Sequence, residues 1–94
     1  MGWDMNAYIV TYDLHKAGQN YDCLYEKLAS YETHWHMQRS VWIIVTDQNA
    51  ATIASNLVGC LDDNDKLFVG GLSANAAWSG HSKKESDWLK DILP

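Results

Sequence analysis

The chain has 94 residues, 47% of them hydrophobic, with five Trp, five Tyr and a formal net charge of −5. That length accommodates one domain with a modest core, so a dimer interface would add considerably to its stability. Twelve acidic residues stand against seven basic ones, and Arg39 is the only arginine. A long non-catalytic grip on duplex nucleic acid is built from Lys and Arg on phosphates, and this composition disfavours it.

Ala7–Tyr12 is a short run of β-branched and aromatic residues and reads as a strand buried on at least one face. Asp13 follows where that strand enters a loop. His15–Asn20 contains Gly18 and reads as loop, with Asn20 a helix cap. Tyr21, Leu24, Tyr25 and Leu28 fall at i, i+3, i+4 and i+7, the apolar stripe of a helix that ends near Tyr31. Residues 33–46 read as two antiparallel strands reversing near Arg39-Ser40. On the first of them His34 and His36 share one face, and Trp35 and Met37 the other. Asn49 caps a second helix with Ile53, Leu57, Val58 and Leu61 on its apolar face. Asp62-Asp63-Asn64-Asp65 has three carboxylates but lacks the glycine and distal Glu of a calcium loop, and reads as a solvated turn. Leu67-Phe68-Val69 is the last core strand. Gly70–Gly80 is a long loop of small residues containing Trp78, expected to be a flexible connection. Ser82 with Glu85 forms a capping box, and Trp88, Leu89 and Ile92 give a C-terminal helix packed back on the body.

The order strand, helix, strand, strand, helix, strand, helix predicts an α+β ferredoxin-like βαββαβ domain spanning residues 1–94. Its core covers about residues 6–72 and its extra helix about 82–92. Two helices would cover one face of a four-stranded antiparallel sheet. The other face is expected to stay free, carry aromatics and meet a second copy.

Cys23 and Cys60 fit no zinc spacing, and the expectation is two reduced, buried thiols in a cytoplasmic protein. No apolar run approaches the ~20 residues of a membrane span, and the N-terminus lacks the layout of a signal peptide. Either Met1 or Met5 suits a natural start.

Three groups of residues could carry chemistry. Asp13 sits where a rigid strand can aim a carboxylate. A two-fold dimer could pair two such groups around a hard cation such as Mg²⁺, which can orient water for attack on a phosphodiester. An Asp after a strand also commonly just accepts loop N–H groups. His15, His34 and His36 could act as general acid and base or hold a metal beside Asp13, or be ordinary exposed histidines. Trp78 in its loop could contact a nucleotide. Lys83 and Lys84 at a helix start could meet a phosphate, or be solvated charges.

Two stretches resemble a known family. Tyr8-Ile9-Val10-Thr11-Tyr12-Asp13-Leu14 resembles the opening strand of the small CRISPR-associated dimeric subunit called "Cas-two". Gln38-Arg39-Ser40-Val41-Trp42 resembles that family's Gln-x-Ser-Val-Phe segment. Residues 6–92 also resemble the SinR-like relatives found outside CRISPR loci, through Tyr12-Asp13-Leu14, Gly18-Gln19-Asn20-Tyr21, Trp35-His36 and Trp88-Leu89. The resemblance implies a ferredoxin-like homodimer in which Asp13 matches the proposed metal ligand of a nuclease, while many members serve as scaffolds. In this chain His15-Lys16-Ala17-Gly18-Gln19 replaces the Arg-rich stretch that usually follows Tyr-Asp.

The expected function is therefore a homodimeric, non-catalytic binding or scaffold module in phage defence or counter-defence, with a protein or a small nucleotide as partner. The alternative is a Mg²⁺-dependent endonuclease on RNA or single-stranded DNA. Its candidate catalytic residues are Asp13, His15 and His36, with Asp13 as metal ligand. Tyr12, Arg39, Ser40, Trp78, Lys83 and Lys84 are the candidate binding residues.

Overall fold

The computed structural model describes residues 5–15 and 21–94. Its elements run β1 Asn6–Asp13, α1 Asp22–Ala29, β2 Thr33–Gln38, β3 Val41–Thr46, α2 Ala50–Val58, β4 Lys66–Gly71 and α3 Lys83–Ile92. The four strands pair antiparallel in the order β2-β3-β1-β4. This is the ferredoxin-like α+β arrangement with one added helix. Asn20, the expected cap of α1, lies outside the described residues.

Local chemistry sets the element ends. The Asn49 side chain accepts from the Thr52 N–H at 2.8 Å and starts α2. The Ser82 hydroxyl accepts from the Glu85 N–H at 3.1 Å, and the Glu85 carboxylate accepts from the Ser82 N–H at 2.9 Å. This reciprocal box starts α3 and satisfies two of the N–H groups that a helix start leaves unpaired. The helix α1 stops at Ala29, earlier than the apolar stripe suggests. Tyr31 continues as a buried side chain whose hydroxyl donates to Gln48 Oε1 at 3.1 Å and accepts from Asn56 Nδ2 at 3.3 Å.

Strand alternation then sorts side chains between two cores. Val10, Tyr12, Trp42 and Ile44 face α1 and α2, where Leu24, Leu28, Ile53 and Leu57 are fully buried. Ala7, Ile43 and Val45 point to the opposite face and are covered by Leu89 and Ile92 of α3. The expectation of a free second face is therefore corrected. The chain's own last helix occupies much of it, because Trp35 and Met37 offer α3 an apolar bed that water would otherwise have to cover. The 72–80 segment joins in, since Trp78 packs on this second core and its Nε1 donates to Ser86 Oγ at 3.0 Å. Trp78 thus anchors a segment expected to be only a flexible connection.

The expectation of two reduced, buried thiols is also corrected. Cys23 and Cys60 form a disulfide across 37 positions of sequence, with their Cα atoms 5.5 Å apart. Cys23 is exposed and Cys60 half-buried. In chain-entropy terms a cross-link at this separation is worth roughly 4 kcal/mol, a large share of the roughly 5–15 kcal/mol that holds a domain folded. Spacing could not reveal the pair, because it is the packing of α1 beside α2, across the intervening hairpin, that places the two sulfurs together. No described helix is long and apolar enough to cross a membrane.

Candidate functional site

Among the described residues, the two large apolar side chains with the most exposure lie on and beside one strand. Phe68 of β4 is 60% exposed, and Val58 at the end of α2 is 58% exposed. β4 is an edge of the sheet, paired only with β1 among the described strands. Its register with β1 runs without interruption from Tyr8↔Gly71 to Asp13↔Lys66. Leu67 and Val69 point toward α2, so by alternation Phe68 and Gly70 point to the face that α3 occupies further along the sheet. No α3 residue lines the depression beside Phe68, and the ring lies back over Gly70. A Cβ placed on Gly70 would come within 2.7 Å of Phe68 Cε2, so the glycine makes room for the ring.

Both sides of this edge are concave. On the α2 side a groove of about 370 Å³ runs between Val58, Leu61 and Leu67, rimmed by Asp62 and Asp65. On the other side a smaller depression of about 190 Å³ is lined by Thr11, Asp13, Lys66 and Phe68. The site is thus an unpaired edge of backbone with an apolar residue on each side of it.

Asp65 fixes the chain just before β4. Its Oδ1 accepts from the His15 N–H at 2.7 Å and the Tyr21 hydroxyl at 3.0 Å. Its Oδ2 accepts from the Asp62 N–H at 2.8 Å. The His15 N–H foremost, then the Asp62 N–H, hold this carboxyl below the ordinary aspartate range. The turn read as merely solvated is therefore a tie between the exit of β1 and the entry of β4.

The residues singled out in the sequence are dispersed. Asp13 is exposed at the end of β1, beside Lys66 in register and on the Phe68 face. His36 lies on the opposite face, stacked on Trp42 with ring centroids 4.4 Å apart, and its Nε2 meets the Arg39 carbonyl at 2.9 Å. His34 also contacts Trp42, with centroids 6.0 Å apart. His15 reaches Asp65 through its backbone. The structure does not bring Asp13 and His36 together. No group of three His, Cys, Asp or Glu side chains able to hold a metal occurs among the described residues.

Tyr12 is buried rather than presented to a ligand. Its hydroxyl donates to the Arg39 carbonyl at 3.3 Å and accepts from Trp42 Nε1 at 3.2 Å, while its N–H donates to the Ser40 carbonyl at 3.2 Å. Burial, the largest influence, raises the Tyr12 pKa. Tyr12, Arg39 and Ser40 therefore form one structural knot at the β2–β3 turn. Lys83 pairs with Asp87 at 2.8 Å. Lys84 is exposed beside Trp35 and Trp88 in a groove of about 340 Å³ at the start of α3. Trp78 and the two lysines belong to the second face and do not join the Tyr12 knot.

Phe68 and Val58 are the features sequence reasoning missed. Phe68 reads as core because it sits within an apolar run. The signal that could have found it is topological. In a βαββαβ order the last strand is an edge, so its outward-alternating residue has a neighbouring strand on one side only.

No protein family, characterised protein or solved structure matches the chain in the comparisons made. The fold defines the class as a small ferredoxin-like α+β domain.

Proposed function

We propose that this protein is a Cas-two-like, non-catalytic scaffold that works as a homodimer in phage defence or counter-defence, its two copies joined along β4. The observation that carries the reading is the placement of Phe68 and Val58, the most exposed large apolar side chains among the described residues, on either side of the regular open edge β4. Edge-to-edge pairing of two β4 strands would satisfy outward-facing backbone groups of both and cover both side chains at once. A second copy fits for a further reason. An edge pairing antiparallel with itself is self-complementary, as a two-fold interface requires. The resemblance to a dimeric family points the same way.

The acidic balance favours scaffolding over nucleic-acid cleavage. Two copies would carry −5 each, and phosphate binding needs the opposite sign. Asp13 has no set of companion ligands within its own chain among the described residues, so a Mg²⁺ nuclease would need ligands from the second copy.

Sedimentation of the wild type, Phe68→Asp and Val58→Asp tests the joining edge. The wild type should sediment as a dimer. Each variant should weaken association at least about tenfold, or about 1.4 kcal/mol, with unchanged circular dichroism. A wild type that stays monomeric at all accessible concentrations would falsify the proposal. Incubation of the wild type and Asp13→Ala with labelled RNA and single-stranded DNA, with Mg²⁺ or chelator, tests the absence of catalysis. Metal-dependent cleavage lost in Asp13→Ala would replace scaffolding by the nuclease reading.

A further inference from the structure

We infer that the Cys23–Cys60 disulfide is a redox latch on the segment between α2 and β4, and through it on the groove beside the open edge. The latch stands on its own geometry. Its effect on association rests on the reading of β4 as the joining edge.

Cys23 lies near the start of α1, and Cys60 just past the end of α2. From Cys60 the chain runs through Leu61 and Asp62 to Asp65 and enters β4 at Lys66. Leu61, Asp62 and Asp65 form one wall of the groove that Val58 and Leu67 complete. Besides the turn's own hydrogen bonds, such as Leu61 N–H to the Val58 carbonyl at 3.1 Å, and the packing of Leu61 on the core, two devices tie this wall to α1 and to the exit of β1. The disulfide ties it covalently to α1. The Asp65 carboxylate ties it to Tyr21, just before Cys23, and to His15, just after β1. The second device is built from partly exposed hydrogen bonds, which are individually weak in water.

The disulfide is also reachable. Cys23 is exposed, and neither cysteine belongs to the fully buried set formed by Leu24, Leu28, Ile53 and Leu57. Exposed disulfides are the ones most readily exchanged. A dithiol reductant can attack the Cys23 sulfur as a thiolate, forming a mixed disulfide and releasing Cys60 as a thiolate that takes a proton. The reductant's second thiol then displaces Cys23. Two electrons and two protons pass to the protein, and the dithiol becomes a disulfide. Cys60 packs against the core from its rim, while Leu24, Leu28, Ile53 and Leu57 make up its fully buried part, so opening the latch loosens the 61–65 wall and leaves the core folded.

Amide hydrogen exchange of the oxidised and the dithiothreitol-reduced protein tests the latch. The amides of His15 and Asp62, which both donate to Asp65, should exchange at least about tenfold faster in the reduced form through an opening that urea does not promote, while those of Val10 and Ile44 lose protection only by the fall in global stability that urea unfolding registers. Cys60→Ser should match the reduced wild type and be indifferent to dithiothreitol. Unchanged exchange at His15 and Asp62 overturns the latch. So does exchange at His15 and Asp62 that rises with urea as that of Val10 and Ile44 does, which would make the disulfide a staple for the whole fold and nothing more, and so does failure of the thiols to pair under diamide. Sedimentation of the same samples separates the two claims. A dimer that dissociates on reduction supports control of the edge, and a dimer that persists while His15 and Asp62 open removes it. If the oxidised protein is monomeric, the joining reading fails while the exchange data still decide the latch.

Discussion

The two edges of the sheet are finished in opposite ways. β2 is protected. Its pairing with β3 shifts register between Trp35 and Gln38, its Trp35 ring lies edge-on to Trp88 with centroids 5.6 Å apart, and its His36 stacks on Trp42. Irregular register and side chains engaged on both faces are ways in which proteins keep an edge from pairing. β4 has an uninterrupted register and an exposed phenylalanine, with a lysine at its start as its one charge. The contrast between a blunted edge and a regular one with apolar groups on both sides is what the proposed pairing along β4 rests on.

Substitutions on each side should separate these roles. The largest stability loss is expected at the protected edge. Trp35→Ala removes an indole packed between His81 and Trp88, and urea unfolding should register about 3 kcal/mol. Phe68→Ala at the open edge should leave the stability of the isolated subunit within about 0.5 kcal/mol. If the two losses are equal, the contrast between a packed and a waiting edge is wrong.

Ser82→Ala tests whether the cap of α3 matters to the second face. Loss of this N-cap should cost about 1 kcal/mol, and Trp35 and Trp88 fluorescence should report loosening without disturbance of β4. A variant as stable as the wild type would mean that side-chain packing alone holds α3.

Acid titration probes the anchor of β4. Asp65 is held below its ordinary range, so its contribution is fully present above the unfolded aspartate value and is lost as pH falls through the folded one. Asp65→Asn should flatten that acid limb of the stability curve. An identical limb in both proteins would assign it to other carboxylates, of which Glu85, lowered first by the Ser82 N–H, is one.

The smallest effect is expected from Gly70→Ala. The new methyl must push the Phe68 ring aside, and an exposed ring can move at little expense in stability. Association should weaken severalfold while the unfolding midpoint hardly shifts. A large drop in the midpoint would show that Phe68 supports the monomer.

The elements and their order were legible in the amino-acid sequence. Short runs of β-branched and aromatic residues mark β1 and β3, and a period of 3.6 marks α1 and α2. Asn49 and the Ser82–Glu85 pair announce helix starts, because capping is local chemistry over three residues. The sequence also located Asp13 at the end of β1 and put His34 and His36 on one face. It took the folded arrangement to show that His36 faces away from Asp13, since that depends on which strands intervene and how they alternate. The same arrangement shows that α3 lies over the second face, that Cys23 meets Cys60, and that Phe68 is left at an open edge. Each of these is a relation between segments distant in the chain. Periodicity says which residues want to be buried, and the order in which strands pair decides which of them have no neighbour to bury them.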